Sequence, residues 1–214
     1  VAHELGTPLN VIQGHARRIE TGDVDDPSDS AATITRQTQR MASIIRQLLD
    51  FSRPRPAVKA TTDLVRLARE TMTMLVASAQ ASGTDLKVES PDGPVSAAID
   101  ESQVLQVLTN LTLNAIQASP RGTEVRLRVT RPDPAHARVE VIDAGHGMSE
   151  HVKDHLFEPF FTTKQVGNGT GLGLAVSYGI VQDHGGTIEA SSVLGQGTTF
   201  SVLLPTGEAT WQVA

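Results

Sequence analysis

Asn110-Leu111-Thr112-Leu113-Asn114-Ala115 places two carboxamides one helical turn apart, inside a longer run, Glu101–Ala118, whose other faces are apolar. A carboxamide oxygen can coordinate Mg²⁺ while the metal keeps waters and phosphate oxygens. The plainer alternative is two polar residues on an exposed stripe. The run itself predicts a helix packed on something apolar, and the flanking sequence supplies the surface. A strand fits around Val95–Ile99 before it, and strands fit Glu124–Thr130 and Arg138–Ile142 after it, with turn residues between them. A helix fits Gly173–His184, and a closing hairpin pairs Thr187–Ser192 with Thr198–Leu204. Upstream, a helix fits Asp63–Gln80 and a short alternating segment Leu86–Glu89. The order predicts a mixed sheet with helices on one face.

Glycine-rich stretches punctuate this body. Asp143-Ala144-Gly145-His146-Gly147-Met148 follows a predicted strand, and its glycines allow backbone to approach a ligand closely. Taken alone, this spacing is also that of a common turn. Phe157-Glu158-Pro159-Phe160-Phe161-Thr162-Thr163-Lys164 precedes Gly169-Thr170-Gly171-Leu172-Gly173-Leu174, where glycines lead into a helix whose N-terminus can face phosphate. It is neither a dinucleotide fingerprint, since the glycine spacing is wrong and no strand immediately precedes it, nor a Walker loop, since no Gly-Lys-Ser/Thr follows. Only residues 165–168 separate Lys164 from Gly169, so a lid here is short, with Lys164 placed to meet a phosphate. Gly195-Gln196-Gly197-Thr198-Thr199-Phe200 closes the series.

The front of the chain reads differently. Leu5, Leu9, Ile12, Ala16 and Ile19 form a heptad seam. Gly22, Pro27 and several Asp residues break it, and Ile34, Met41, Ile45 and Leu48 resume it until Ser52-Arg53-Pro54-Arg55-Pro56. Two such helices have too little core to stand alone, and a second copy would complete a four-helix bundle. His3 lies beside the seam, Thr7 one turn on, and Pro8 predicts a kink. Neutral imidazole is a competent nucleophile near pH 7, and Glu4 could hold its second proton if it bends towards the ring. A surface histidine on an amphipathic helix is the plainer alternative for His3 alone. A zinc-protease pair is excluded because Thr7 stands where the second histidine would be. The remaining histidines, including His151 and His155 one turn apart, read as structural or solvent-facing.

Composition narrows the classes. Across 214 residues the net charge is −6 without a long basic run, which argues against a nucleic-acid partner. No cysteine is present, which excludes disulfides and thiol catalysis. No apolar run reaches the roughly 20 residues of a membrane span, and a cytoplasmic location is expected for this portion. The chain opens without Met inside a helical pattern, so an upstream helix and sensor are expected to be missing, and these could anchor the whole protein in a membrane.

Together these strings resemble the catalytic core of sensor histidine kinases over nearly the whole chain. His3-Glu4-x-x-Thr7-Pro8-Leu9 resembles the H-box, with Gly6 where a basic residue is usual. The asparagine string resembles the N-box, the Asp143 string the G1 box, and the Phe157 and Gly169 strings the F-box and G2 box of the GHKL ATPases. The resemblance implies an α+β architecture. A helical hairpin, half of a dimeric four-helix bundle, over 1–53 would precede an ATP-binding α/β sandwich of Bergerat type over 58–208.

It further implies that His3 accepts phosphate, assisted by Glu4, while Thr7 orients water for dephosphorylating a response regulator receiver domain. ATP would be held by Asn110, Asn114, Asp143, Gly145, Gly147, Lys164, Gly169, Gly171, Leu172, Gly173 and Thr198, with Asn114 on Mg²⁺ and Asp143 on the adenine amino group. Gln117 stands where many members have lysine. Asn110 stands where hydrolysing GHKL members carry a water-activating glutamate, and a neutral amide cannot serve as that base. That difference favours transfer to His3 over the alternative of an ATPase driving conformational change. The Lys164 string, the short lid and the segment from Gly169 onwards resemble the nitrogen-regulator-type branch.

Overall fold

The computed structural model describes residues 2–23, 26–52, 56–164 and 170–207. They fall into two compact units, Val1–Arg55 with Glu158–Gly173, and Pro56–Phe157 with Leu174–Ala214.

In the first unit, α1 (Ala2–Glu20) and α2 (Pro27–Ser52) pack side by side. α1 continues through Pro8, which is buried. Between the helices His15 Nδ1 meets Ser30 Oγ at 3.1 Å, and Ser30 is buried.

The second unit is the α/β body. β1 (Ala60–Asp63) leads into α3 (Leu64–Ser82), which Asp63 caps by accepting from the Val65 N–H at 2.9 Å. Gly83 ends α3 in the left-handed region, a conformation that glycine adopts without steric cost. Then come β2 (Asp85–Glu89), β3 (Ser96–Ile99) and α4 (Glu101–Ala118). Asp100 caps α4, and bonds from the Ser102 hydroxyl and the Val58 N–H hold its carboxyl below the ordinary aspartate value. β4 (Glu124–Asp133), β5 (His136–Asp143), α5 (Glu150–His155), α6 (Gly173–Asp183), β6 (Thr187–Val193) and β7 (Gly197–Pro205) complete the order.

Five strands form one sheet in the order β2-β4-β5-β7-β6, with β2 parallel to β4 and the other pairs antiparallel. Alternation puts Val125, Leu127, Val129, Val139, Val141, Phe200, Val202 and Leu204 on the buried face. They share one core with Leu67 and Leu75 of α3, Val104, Leu108 and Leu111 of α4, and Val181 of α6. The opposite face is polar, with Arg126 and Arg128 paired to Glu89. Among the described residues no helix is long and apolar enough to cross a membrane.

Two features depart from the sequence expectation. β1 was not foreseen, because Ala60–Asp63 gains strand geometry only from a distant partner, β3, with Ala60 opposite Ile99. The β4–β5 hairpin also runs longer than expected. Pro132 reads as a strand breaker, yet the ladder resumes at Asp133–His136 after a register shift, the kind of irregularity where a sheet tolerates proline.

Candidate functional site

The buried face of the sheet changes character where β5 ends. Val141, Phe200 and Ala190 lie opposite one another across β5, β7 and β6, and the next inward row is Asp143, Thr198 and Ser192. All three are at least nine-tenths buried. The Asp143 Oδ1 accepts from the N–H groups of Gly145 (2.8 Å) and Thr198 (3.2 Å). Desolvation raises its pKa above the ordinary value, opposed by those two N–H groups and by nearby His146. Its Oδ2 takes no hydrogen bond among the described residues. An acceptor left open on a buried carboxylate fits a ligand amino group.

The glycines around this row serve the chain's own backbone first. A Cβ on Gly145 would stand 2.7 Å from the Ala118 carbonyl oxygen, at the end of α4. Gly147 (φ +65°) lies against the Val193 carbonyl and Gly197 (φ +96°) against that of Asp143. The close approach expected towards a base is therefore already made between strand ends and the β6–β7 turn. A hydrogen bond from the Gly195 N–H to the His146 carbonyl, 2.8 Å, closes the same corner. A cavity of about 320 Å³ at this end is lined by Asp143, Ser192 and Thr198 and also by Glu124, Arg126 and Thr199 from the opposite face. It wraps the strand ends and does not reach Asn110 or Asn114.

On α4, Asn110 and Asn114 are half-buried one turn apart. The Asn110 Nδ2 donates to the Ser177 hydroxyl at 2.9 Å, and Ser177 is buried on α6. A second tie joins the same helices. The His184 Nδ1–H donates to the Ile180 carbonyl (2.7 Å), which leaves Nε2 to accept the Asp100 N–H (2.8 Å) at the start of α4. Among the described residues no three His, Asp or Glu side chains form a metal cage. A single carboxamide ligand such as Asn114 suits Mg²⁺, which completes its shell with phosphate oxygens and water.

The remaining expected residues belong to the other unit. Phe160 has a positive φ of 69°, and its N–H donates to the Gly171 carbonyl at 2.9 Å. Gly171, at φ +66°, packs directly on the Phe160 backbone. Leu172 is buried, with its N–H bonded to Thr170 Oγ1, and Gly173 begins α6. Lys164 is exposed as a residue, yet its ammonium is partly desolvated, which lowers its pKa. Thr7 is half-buried on α1. The backbones of His3 and Glu4 lie in α1, while their side chains, and Gly169 entirely, lie outside the described residues.

Asp143, Gly145, Gly147 and Thr198 thus meet at one corner of the body, with Asn110 and Asn114 on its central helix. Ser192 and Ser177 escaped assignment from the sequence, while His184, read there as structural or solvent-facing, is the buried structural tie just described. The available signal was phase, since Ser192 is a polar residue at the inward position of a strand.

A covered mixed sheet ending in a buried aspartate row, with two asparagines on the helix above it, is the ATP-binding fold shared with GHKL proteins. The model for histidine kinase-, DNA gyrase B- and HSP90-like ATPases matches residues 99–208, and the His Kinase A (phospho-acceptor) domain matches residues 1–57. The sensor kinase CckA of Brucella abortus is 36% identical over 228 residues, covering 96% of this chain and 23% of its own length. A crystal structure of histidine kinase ThkA in complex with response regulator protein TrrA superposes with TM-score 0.79 at 27% identity, over 96% of this chain and 60% of that one. Full-length ShkA in complex with AMPPNP gives 0.75 at 26% identity, over 97% and 45%. This chain belongs to the sensor histidine kinases. It spans about a quarter of the length of the first relative.

Proposed function

We propose that this chain transfers the γ-phosphoryl group of ATP to His3 and then to an aspartate of a response-regulator receiver domain. The observation that carries the reading is the open Oδ2 of buried Asp143 beside Thr198, in a chain whose phospho-acceptor domain precedes the ATP-binding body. Asp143 accepts the adenine amino group. Asn114 holds Mg²⁺, which neutralises phosphate charge. The Gly169–Gly173 stretch and Lys164 meet the phosphates. One His3 nitrogen attacks phosphorus, ADP leaves, and Glu4 takes the proton from the other nitrogen. Thr7 orients water for the reverse task, dephosphorylating the regulator. We divide these roles between a hairpin domain, 1–53, and an ATP-binding domain, 58–208, and place the hairpin in a homodimeric bundle. This portion works in the cytoplasm.

ThkA with a response regulator and ShkA with AMPPNP support both partners by analogy. Asn110 supports transfer over hydrolysis, because its amide is neutral and donates to Ser177. The test is magnesium-dependent labelling with γ-phosphate-labelled ATP. Acid-labile label is expected; acid-stable label, or none, overturns the reading.

A further inference from the structure

Ser192 is the most heavily engaged side chain at the sheet end. Its Oγ accepts the Met148 N–H at 2.8 Å, donates to the Gly197 carbonyl at 2.9 Å, and lies 3.0 Å from the Thr198 Oγ1. A hydroxyl has one proton and two acceptor sites. The Gly197 carbonyl can only accept, so it takes the one Ser192 proton. The Met148 N–H fills one acceptor site. The contact with Thr198 must then run the other way, with the Thr198 hydroxyl donating to Ser192. This leaves Thr198 with no proton for a ligand, only lone pairs. Asp143, directly opposite Thr198 on β5, also offers only an acceptor, its Oδ2.

We propose that Ser192 is a specificity-determining positioning residue: by taking the Thr198 proton, it makes the Asp143–Thr198 corner an acceptor-only surface that admits an amino edge and rejects a carbonyl edge. Resting on the nucleotide reading above, the corner selects 6-aminopurine over 6-oxopurine nucleotides through a residue that need not touch them. The sequence alone hides this, because Ser192 acts by fixing the rotor of its neighbour. Ser192 and Thr198 are only 9% and 8% exposed, so their hydroxyls are held chiefly by these protein partners.

The test compares Mg²⁺-ATP with Mg²⁺-ITP, which differ at purine position 6 and its neighbouring ring nitrogen, by equilibrium binding to the full chain. Ser192→Ala frees the Thr198 hydroxyl to turn and donate to a 6-oxo group. The ATP-to-ITP preference should then narrow about five- to tenfold, the scale of one redirected hydrogen bond. Ser192→Thr keeps the hydroxyl and should keep the preference. Ser192→Cys fills the same place with weak hydrogen bonding and should narrow it, which covers failure of the alanine variant to fold. In a Thr198→Val background, Ser192→Ala should leave the preference unchanged, because no hydroxyl remains to redirect. A merely structural role would weaken both nucleotides together. An unchanged preference in folded Ser192→Ala or Ser192→Cys overturns the proposal while leaving the nucleotide site intact. Wild type binding neither nucleotide, or Asp143→Ala binding ATP normally, removes the nucleotide reading as well.

Discussion

The helical hairpin and the α/β body meet the problem of burial in different ways. In the body, Leu64, Leu67, Leu108, Leu111, Leu127 and Leu204 are wholly covered within one chain. In the hairpin, among the described residues, Ile44 is covered while Leu9, Ile19 and Ile45 remain more than a third exposed along the seam. The body carries its own core, whereas the hairpin leaves these apolar residues of its seam open in the single chain. The division also follows the chemistry proposed here. Nucleotide recognition needs a fixed corner, whereas a phosphoacceptor must be accessible to two partners in turn.

The strongest way to separate the two regions is His3→Ala. Phosphate labelling should vanish entirely while ATP affinity stays at its wild-type value. Labelling that survives would place the acceptor elsewhere.

Next in size is the contrast in stability. Leu108→Ala should destabilise the body by about 2–5 kcal/mol in denaturant unfolding, independently of protein concentration. Ile45→Ala, at a seam position left exposed in the single chain, should act through association, with an effect that grows on dilution in sedimentation and unfolding experiments. Equal, concentration-independent effects would mean that the hairpin is as self-sufficient as the body.

Asp143→Asn probes the corner itself. The side chain keeps its shape, but an amide donor replaces the acceptor facing the adenine amino group, so ATP affinity should fall about 10- to 100-fold by calorimetry. The pH dependence has two opposite signs. Burial raises the folded pKa of Asp143. The ionised group therefore costs stability above that pKa, and the cost is relieved as pH falls through it. ATP affinity should move the other way, weakening over the same range as the acceptor is protonated. Asp143→Asn should flatten both dependences, and a wild-type pH profile in this variant would remove Asp143 from the site.

The smallest expected effect is that of Asn110→Glu. A carboxylate there should raise phosphate release to water relative to transfer, by a few-fold rather than the roughly 10²–10⁴-fold of a well-placed base. It meets the Ser177 hydroxyl, which would hold it towards α6. Unchanged hydrolysis with intact ATP affinity would move the distinction from residue 110 to the placement of the His3 helix.

Much of this was legible because the decisive residues are local. Glu101–Ala118 carries its own periodicity and Asp100 its own cap, so α4 is found where the pattern puts it. Asp143, Thr198 and the glycines could be named from their strings. What escaped was pairing at long range: β1 needs β3, and Ser192 acquires its meaning only when register sets it against Thr198. The glycines were named for close approach to a ligand, and the structure shows Gly145 and Gly147 serving close contacts with Ala118 and Val193. The helix seams fixed the hairpin but not its side-chain partners, and nothing in the pattern of α1 and α2 pointed to the His15–Ser30 contact.

The imidazole of His184 ties the last turn of α6, through the Ile180 carbonyl, to the amide of Asp100, the residue that caps α4. Neither helix end can fray alone without breaking that tie. The Asp100 amide proton should therefore exchange with solvent only when the body opens as a whole, and not through the local fluctuations that expose ordinary helix ends. One backbone proton at a helix start, normally among the quickest to exchange, becomes a gauge of the cooperativity of the entire fold.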